Sequence, residues 1–395
     1  MKYFLVKTIR DKIIKSYVFF VKYFTRINKR RIVLHQPFKF GYDCNQKYIA
    51  EEILKQNLPY EIIWITRATR ADNENYPSEI KVITEKQLFK TLYYFLTSKV
   101  CISNSFLPFK HYISKKRGQI YINTWHGSLG IKKIGLTEKY LGSNNEKVLK
   151  RTINLTDFFI SNSDFETNVY RNSLCYNNEI LTFGHPRNDI LINGILSKED
   201  KIKINKKVRQ YNNYNISENT KLVLYAPTFR PKSNLNCLDM DYQLLLETLK
   251  SRFGEDFVLL LRLHPTMKDI FKSFNLKSEN IFDYTKFDDM QELMIASDIL
   301  ITDYSSCIYD FMLTEKIGFI YASDIDEYDT ERGFYYPLES TPFPVIKNNS
   351  ELKEKIINFD SSKYVIEVQN FLKDKGCIED GNASRRVVDL IKKYI

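Results

Sequence analysis

The chain is short of the residues that usually mark a site. In 395 residues it has 13 glycines, 2 tryptophans and 5 histidines. Glycine stands at about half its usual share, so a glycine here reads as placed for its backbone freedom. Six cysteines (44, 101, 175, 237, 307 and 377) are scattered, with no C-x-x-C pair and no Cys/His cluster. Their spacing argues against a structural zinc site and for a reducing compartment. No uncharged apolar run approaches the ~20 residues that would span a bilayer. There is no GxxxxGK[ST] loop, G-x-S-x-G elbow or HExxH, and no RNP-like or RGG run. The triplets "DMD" (239–241) and "DID" (324–326) could ligate a metal, but they are of the kind chance supplies. The expectation is a site with no metal and no cofactor.

What is present is positive charge and alternation. Lys and Arg number 59 against 48 Asp and Glu, a net charge of +11. Such a balance suits an anionic partner (nucleic acid, a membrane surface or a phosphorylated substrate), or it reflects a lysine-rich composition alone. The charge is dense in residues 1–31, "MKYFLVKTIRDKIIKSYVFFVKYFTRINKRR", where Asp11 is the one acid. Phe4, Leu5, Ile9, Ile13, Tyr17, Phe20 and Phe24 recur at helical spacing among Lys and Arg. Charges interrupt every apolar run and no small-residue cleavage site follows, so this is not a secretory signal. It reads as a basic amphipathic helix lying on anionic lipid, or as a first helix packing on its own domain.

From residue 32 short apolar runs alternate with helical stretches. "RIVLHQ", "YEIIWIT", "IKVIT", "KVCISNS", "QIYINTW", "DFFISNS" and "EILTFGH" read as buried strands. A lysine- and asparagine-rich segment (197–220) precedes a second series, "KLVLYAPTF", "DFVLLLRLHP", "ILITDY" and "IGFIYASD". The pattern predicts an α/β, GT-B-like fold of two Rossmann-like domains, 32–200 and 218–360, facing a cleft. Helices over 361–395 would close it.

Five segments place polar groups just past a strand, where such a cleft binds ligands. In "INTWHGSLGIKK" Trp125 can wedge a turn that projects His126, while Gly127 and Gly130 admit a ligand to the backbone. "GHPRND" offers Arg187 and Asn188, and arginine's planar fork suits phosphate or carboxylate. "APTFR" places Thr228 and Arg230 after Pro227. In "LRLHP" Arg262 and His264 share one face by the strand period of two. In "ITDYSSCIYDF" Ser305 and Ser306 precede a helix whose N–H groups could cradle a phosphate, with Asp310 one turn on. Each segment alone could be an ordinary turn, cap or core histidine. Together they suit in-line transfer at phosphorus, with a histidine taking a proton from the incoming hydroxyl.

"NTWHGSLGIKKIG", "SNSDFE", "GHPRNDIL", "LYAPTFR", "LRLHP", "ITDYSSCIYDF" and "ERGFYYPLE" resemble the ordered motif series of the CDP-glycerol glycerophosphotransferases, the teichoic acid primases and polymerases. The resemblance runs from about Ser103 to Val345. It implies a peripheral enzyme on the cytoplasmic face of the cell membrane, met through an anionic surface. Such an enzyme moves glycerol phosphate from CDP-glycerol to a hydroxyl of a lipid-linked glycan or polyol-phosphate acceptor and releases CMP. Carried over, His126 is the base and His264 its partner on the phosphoryl group. Gly127, Ser128, Arg187, Asn188, Pro227, Thr228, Arg230, Arg262, Asp303, Ser305, Ser306 and Asp310 contact substrate. Relatives often carry Thr-Pro at Ser128–Leu129, Tyr at His185 and Trp at Phe229, which leaves CDP-ribitol open as the donor. Two rival readings remain: a GT-B glycosyltransferase using a nucleotide sugar, and a basic membrane- or nucleic-acid-binding protein. The resemblance implies no nucleic-acid partner.

Overall fold

A computed structural model describes residues 2–37, 41–67, 76–105, 112, 114–130, 132–138, 143–228, 239–264 and 279–395 (side chains of 2–7, 143–145 and 329–332 excepted). Among these, β1 (Asn28–Gln36), β2 (Glu61–Thr66), β3 (Ile80–Thr84), β4 (Ser98–Ser103), β5 (Ile120–Asn123), β6 (Phe158–Ser161) and β7 (Glu179–Thr182) form one sheet. A second holds β8 (Lys221–Tyr225), β9 (Phe257–Leu261), β10 (Ile281–Asp283), β11 (Ile299–Thr302), β12 (Ile317–Tyr321) and β13 (Val345–Ile346). Every pairing is parallel. The orders are β3-β2-β1-β4-β5-β6-β7 and β10-β9-β8-β11-β12-β13. Parallel strands covered on both faces must be apolar on both, which is why "VLLL" and "KLVLY" lack alternation. Leu222, Val223, Leu224, Leu259, Leu260 and Leu261 are all fully buried.

Each sheet starts in its middle, winds to one edge and returns to the other side, leaving a crevice at the carboxyl ends of its first strands. The helices between are α1 (Lys2–Phe24), α2 (Cys44–Lys55), α3 (Leu88–Thr97), α4 (Ser143–Leu155) and α5 (Asp164–Ser173) in the first unit. They continue as α6 (Lys198–Arg209), α7 (Tyr242–Phe253), α8 (Met290–Ala296), α9 (Cys307–Phe311), α10 (Ile325–Arg332), α11 (Asn349–Ile357), α12 (Ser361–Asp374) and α13 (Ala383–Lys392).

Two segments show detail that the sequence pattern does not give. The polar stretch expected at the joint carries α6, capped by Ser197 Oγ accepting from Asp200 N, and its Val208 is buried in the second core. The C-terminal helices divide between the units. Val368 and Phe371 of α12 join the second core, whereas Val387, Val388 and Ile391 of α13 pack with Ile32, Leu34 and Ile49 of the first. Asp189 fixes that crossing by accepting from Ala383 N and Ser384 N at 2.8 Å.

Helix α1 shows two apolar faces. Ile14, Val18 and Val21 pack with Phe95 of α3 and with the first sheet. Ile9, Ile13, Phe20 and Phe24 of the expected row face outward, the last 69% exposed. Tyr17 turns aside to donate to the Phe89 carbonyl at 3.1 Å. Phe4 and Leu5 of that row fall outside the described side chains. No described helix is long and apolar enough to cross a membrane.

Candidate active site

The loop after β5 is built to present a histidine. Trp125 adopts φ +51°, the left-handed region that costs a non-glycine residue about 1–3 kcal/mol. Its N–H donates to Asn123 Oδ1 at 2.8 Å, and its carbonyl accepts from Asn45 Nδ2 at 3.1 Å. The indole packs against Phe159 and Tyr170. This twist buries Trp125 and leaves His126 exposed. His126 Nδ1 lies 2.7 Å from the Asn104 carbonyl oxygen. A carbonyl only accepts, so in the neutral ring Nδ1 carries the hydrogen and Nε2 is the basic nitrogen. Gly130 is needed for close approach, because a Cβ there would meet Ser306 Cβ of the second unit at 3.0 Å.

Arg187, after β7, is buried and committed on two sides. Its Nε donates to Asp310 Oδ2 at 2.8 Å and its Nη2 to Oδ1 at 3.2 Å, while Nη2 also donates to the Gly127 carbonyl. Burial alone would lower the guanidinium's pKa, but the Asp310 carboxylate more than offsets it, so the charge is fixed. Nη1 is buried with no partner among the described residues. Asn188 Nδ2 donates to Asp310 Oδ1 at 3.1 Å and to Glu379 Oε1 at 2.9 Å. Burial pushes the Glu379 carboxyl up to about 7.

The second unit contributes its own strand ends. Thr228 follows β8 with its N–H 2.9 Å from Asp303 Oδ1 and its hydroxyl on the same carboxylate. Arg262, just past β9, donates from its backbone N to Tyr225 O at 2.9 Å and from Nη2 to Asp288 O at 3.1 Å. The backbone bond to Tyr225 continues the β8–β9 ladder by one residue and so fixes where the Arg262 side chain leaves the sheet. Ser305 Oγ accepts from Cys307 N at 3.4 Å at the start of α9.

These strand ends enclose a cavity of about 460 Å³ between the units. His126, Arg187, Pro227, Thr228, Arg262, His264, Ser305, Ser306 and Asp310 all line it. Gly127 and Ser128 line a smaller adjoining cavity, and Ser128 Oγ also accepts from Asn162 Nδ2 at 2.9 Å. Asn188 and Asp303 line neither. They are struts, one holding Asp310 and the other the Pro227–Thr228 turn. Asp310, expected to contact substrate, accepts from Arg187 on both oxygens and also from Asn188 and Gln291. Arg230 lies outside the described residues. Of the triplet aspartates, Asp241 caps α7 and Asp324 accepts from Tyr304 Oη at 2.8 Å. Among the described residues no three His, Cys, Asp or Glu side chains group as a metal site would need.

Gln36, Asp43, Lys132 and Gln291 also line the large cavity, and sequence reasoning passed over them. Asp43 lies shortly past the β1 end, so the strand-end rule that found the other residues would have found it. Burial pushes its carboxyl up to about 8, against the lowering effects of Gln36 and Arg262. Near neutrality this acid is protonated, and a neutral acid does not repel an anionic ligand.

Comparison with known proteins identifies the family. Residues 17–393 match the model of the CDP-Glycerol:Poly(glycerophosphate) glycerophosphotransferase family. The chain belongs to that family. This glycerophosphotransferase is 29% identical over 375 residues to the teichoic acid poly(glycerol phosphate) polymerase of Bacillus spizizenii, covering 92% of each chain. It is 24% identical over 370 residues to the same organism's teichoic acid poly(ribitol-phosphate) polymerase, covering 92% of this chain and 56% of that one. The structure of the wall teichoic acid polymerase TagF, as a histidine-to-asparagine variant with CDPG, superposes with a TM-score of 0.81 at 27% identity. That match covers 98% of this chain and 95% of the TagF chain.

The two units of the glycerophosphotransferase are tied beside the cleft by buried charge. Lys47 of α2 donates to Asp289 and, at 2.7 Å, to Glu292 Oε1, both on or capping α8. Tyr48 Oη donates to the same Asp289 oxygen at 2.8 Å.

Proposed function

We propose that this protein is a membrane-associated, GT-B-type transferase. In this reading it moves glycerol phosphate from CDP-glycerol to a hydroxyl of a lipid-linked acceptor and releases CMP. The observation that carries the reading is the meeting of His126 and His264, from separate sheets, in one cavity with Arg187, Arg262, Thr228 and Ser305. The donor diphosphate brings negative charge, which the two guanidinium groups and the Ser305–Ser306 turn can hold. His126, with Nε2 basic, takes the proton of the incoming hydroxyl as its oxygen forms the new bond to phosphorus. His264 stands on the phosphoryl oxygens, where the bond to the departing CMP breaks. The fixed Arg187–Asp310 pair sets one wall of the site without reorganising during the reaction.

The outward row of α1 and the basic residues around it fit an anionic bilayer, which would hold the enzyme near a lipid-linked acceptor. Incubation with CDP-glycerol and CDP-ribitol in separate reactions, with CMP as the readout, tests the reading. CMP from CDP-glycerol supports it. CMP from CDP-ribitol alone makes the enzyme a ribitol-phosphate transferase, and CMP from neither rejects both.

A further inference from the structure

We propose that the smaller cavity beside His126 is the acceptor subsite, shaped for a short uncharged polyol segment ending in the attacking hydroxyl. The proposal rests on the transferase reading above and adds where the second substrate sits. The cavity measures about 160 Å³ and shares His126, Lys132 and Ser306 with the larger one. His126 therefore borders both compartments. A base that serves an in-line displacement needs this position, with the nucleophile on one side and the phosphorus on the other.

Its chemistry differs from that of the large cavity. Trp125, Phe165 and Val169 give it apolar walls, and its lining includes Glu166 and Tyr170 of α5. Glu166 is 2% exposed. Its Oε2 accepts from Asn162 N at 2.9 Å, and His185 Nε2 stands 2.9 Å from Oε2 and 3.2 Å from Oε1. A carboxylate offers about four lone-pair sites, so these two partners leave acceptor capacity for a hydroxyl. Burial, and then the neighbouring Glu166 carboxylate, hold the Tyr170 phenol well above its usual range, so it keeps its proton. Although Glu166 is near, Tyr170 Oη makes no well-formed hydrogen bond among the described residues. Leaving such a hydroxyl unsatisfied costs about 1–3 kcal/mol, and a ligand hydroxyl accepting from it would recover that cost. A buried carboxylate repels phosphate but accepts readily from an alcohol. The pair therefore suits vicinal hydroxyls rather than an anion. A cavity of about 150 Å³ holds one benzene, and glycerol has the same number of heavy atoms.

The step balances with this placement. The acceptor oxygen forms a bond to the donor phosphorus that carries glycerol, and the bond from that phosphorus to the CMP oxygen breaks. The hydroxyl proton passes to His126 Nε2, and CMP leaves through the large cavity.

Trp125 lines the small cavity, and the other tryptophan, Trp64, is fully buried in β2. Titrating a short soluble poly(glycerol phosphate) into the full chain, without nucleotide, should give a saturable change in Trp125 fluorescence. Val169→Phe, which fills the cavity, should weaken that binding tenfold or more. Tyr170→Phe should weaken it roughly three- to tenfold and leave the melting temperature unchanged or higher, because it removes an unsatisfied hydroxyl. CDP-glycerol affinity should stay within about twofold in both variants. The proposal is overturned if no saturable change occurs, or if the variants weaken CDP-glycerol and spare the polymer. A Tyr170→Phe chain that melts lower would assign the hydroxyl a structural role and also count against it. Failure to release CMP from CDP-glycerol would instead reject the transferase reading, since the titration needs no turnover.

Discussion

Replacing Lys47 with methionine should destabilise the fold by about 3 kcal/mol. The residue is 7% exposed, and its ammonium serves Asp289 and Glu292 across the junction of the two units. Burial alone would lower its pKa, but Asp289 and then Glu292 raise it well above the usual lysine range. Methionine keeps the aliphatic stem and removes the charge, leaving two carboxylates facing each other out of water. Removing one partner of a buried pair costs about 3–5 kcal/mol. Lys207, which also pairs with Glu292, brings the expectation to the lower end. Urea unfolding followed by tryptophan fluorescence measures the loss. Adding Asp289→Asn should return about 1–2 kcal/mol, because asparagine still caps α8 but carries no uncompensated charge. A loss under about 1 kcal/mol, or no recovery in the double variant, would refute the claim that this cluster fastens the units.

Other consequences are as specific. The Asp43 carboxyl keeps its proton to about pH 8 when folded, against an ordinary value of 3.8, so unfolding between those limits releases a proton. Stability should then fall as pH rises from about 4 to 8, by up to about 1.4 kcal/mol per unit, and Asp43→Asn should remove that share of the slope in a pH series of urea melts. Phe20→Ser with Phe24→Ser should release the protein from anionic vesicles in a sedimentation assay with no drop in melting temperature, since both side chains face outward. An unchanged vesicle partition would move the membrane contact elsewhere. Ser305→Ala should raise the KM for CDP-glycerol and spare the acceptor KM, since Ser305 lines the large cavity and not the small one. The reverse split would take the phosphates off this turn.

Much of the site was legible because its residues follow apolar runs. His126, Arg187, Thr228, Arg262, His264 and Ser305 each sit just past a strand, and parallel sheets bring strand ends together. What they do once assembled was less legible. Asp310 lies one helical turn from Ser306 in sequence, yet its partner is Arg187 on the other unit. Asn188 and Asp303 have the polar chemistry of ligand contacts and serve as struts, a distinction only three-dimensional distance makes. Glu379 reaches back nearly two hundred positions to His185 and Asn188, with no local signal. In α1 the outward row and the packed stripe interleave, so periodicity alone could not say which face meets the core. In α6 few apolar residues mark the buried side, and Val208 carries much of the packing.

The central claim is that His126 activates a hydroxyl for transfer from CDP-glycerol, and CMP release tests it most directly. Wild type and His126→Ala should be compared with CDP-glycerol and a short soluble poly(glycerol phosphate), scoring CMP and polymer extension together. The account predicts extension with one CMP per added unit in the wild type, and a loss of about 10²–10⁴ in the variant with its melting temperature preserved. Near wild-type CMP release by a folded His126→Ala chain would contradict it.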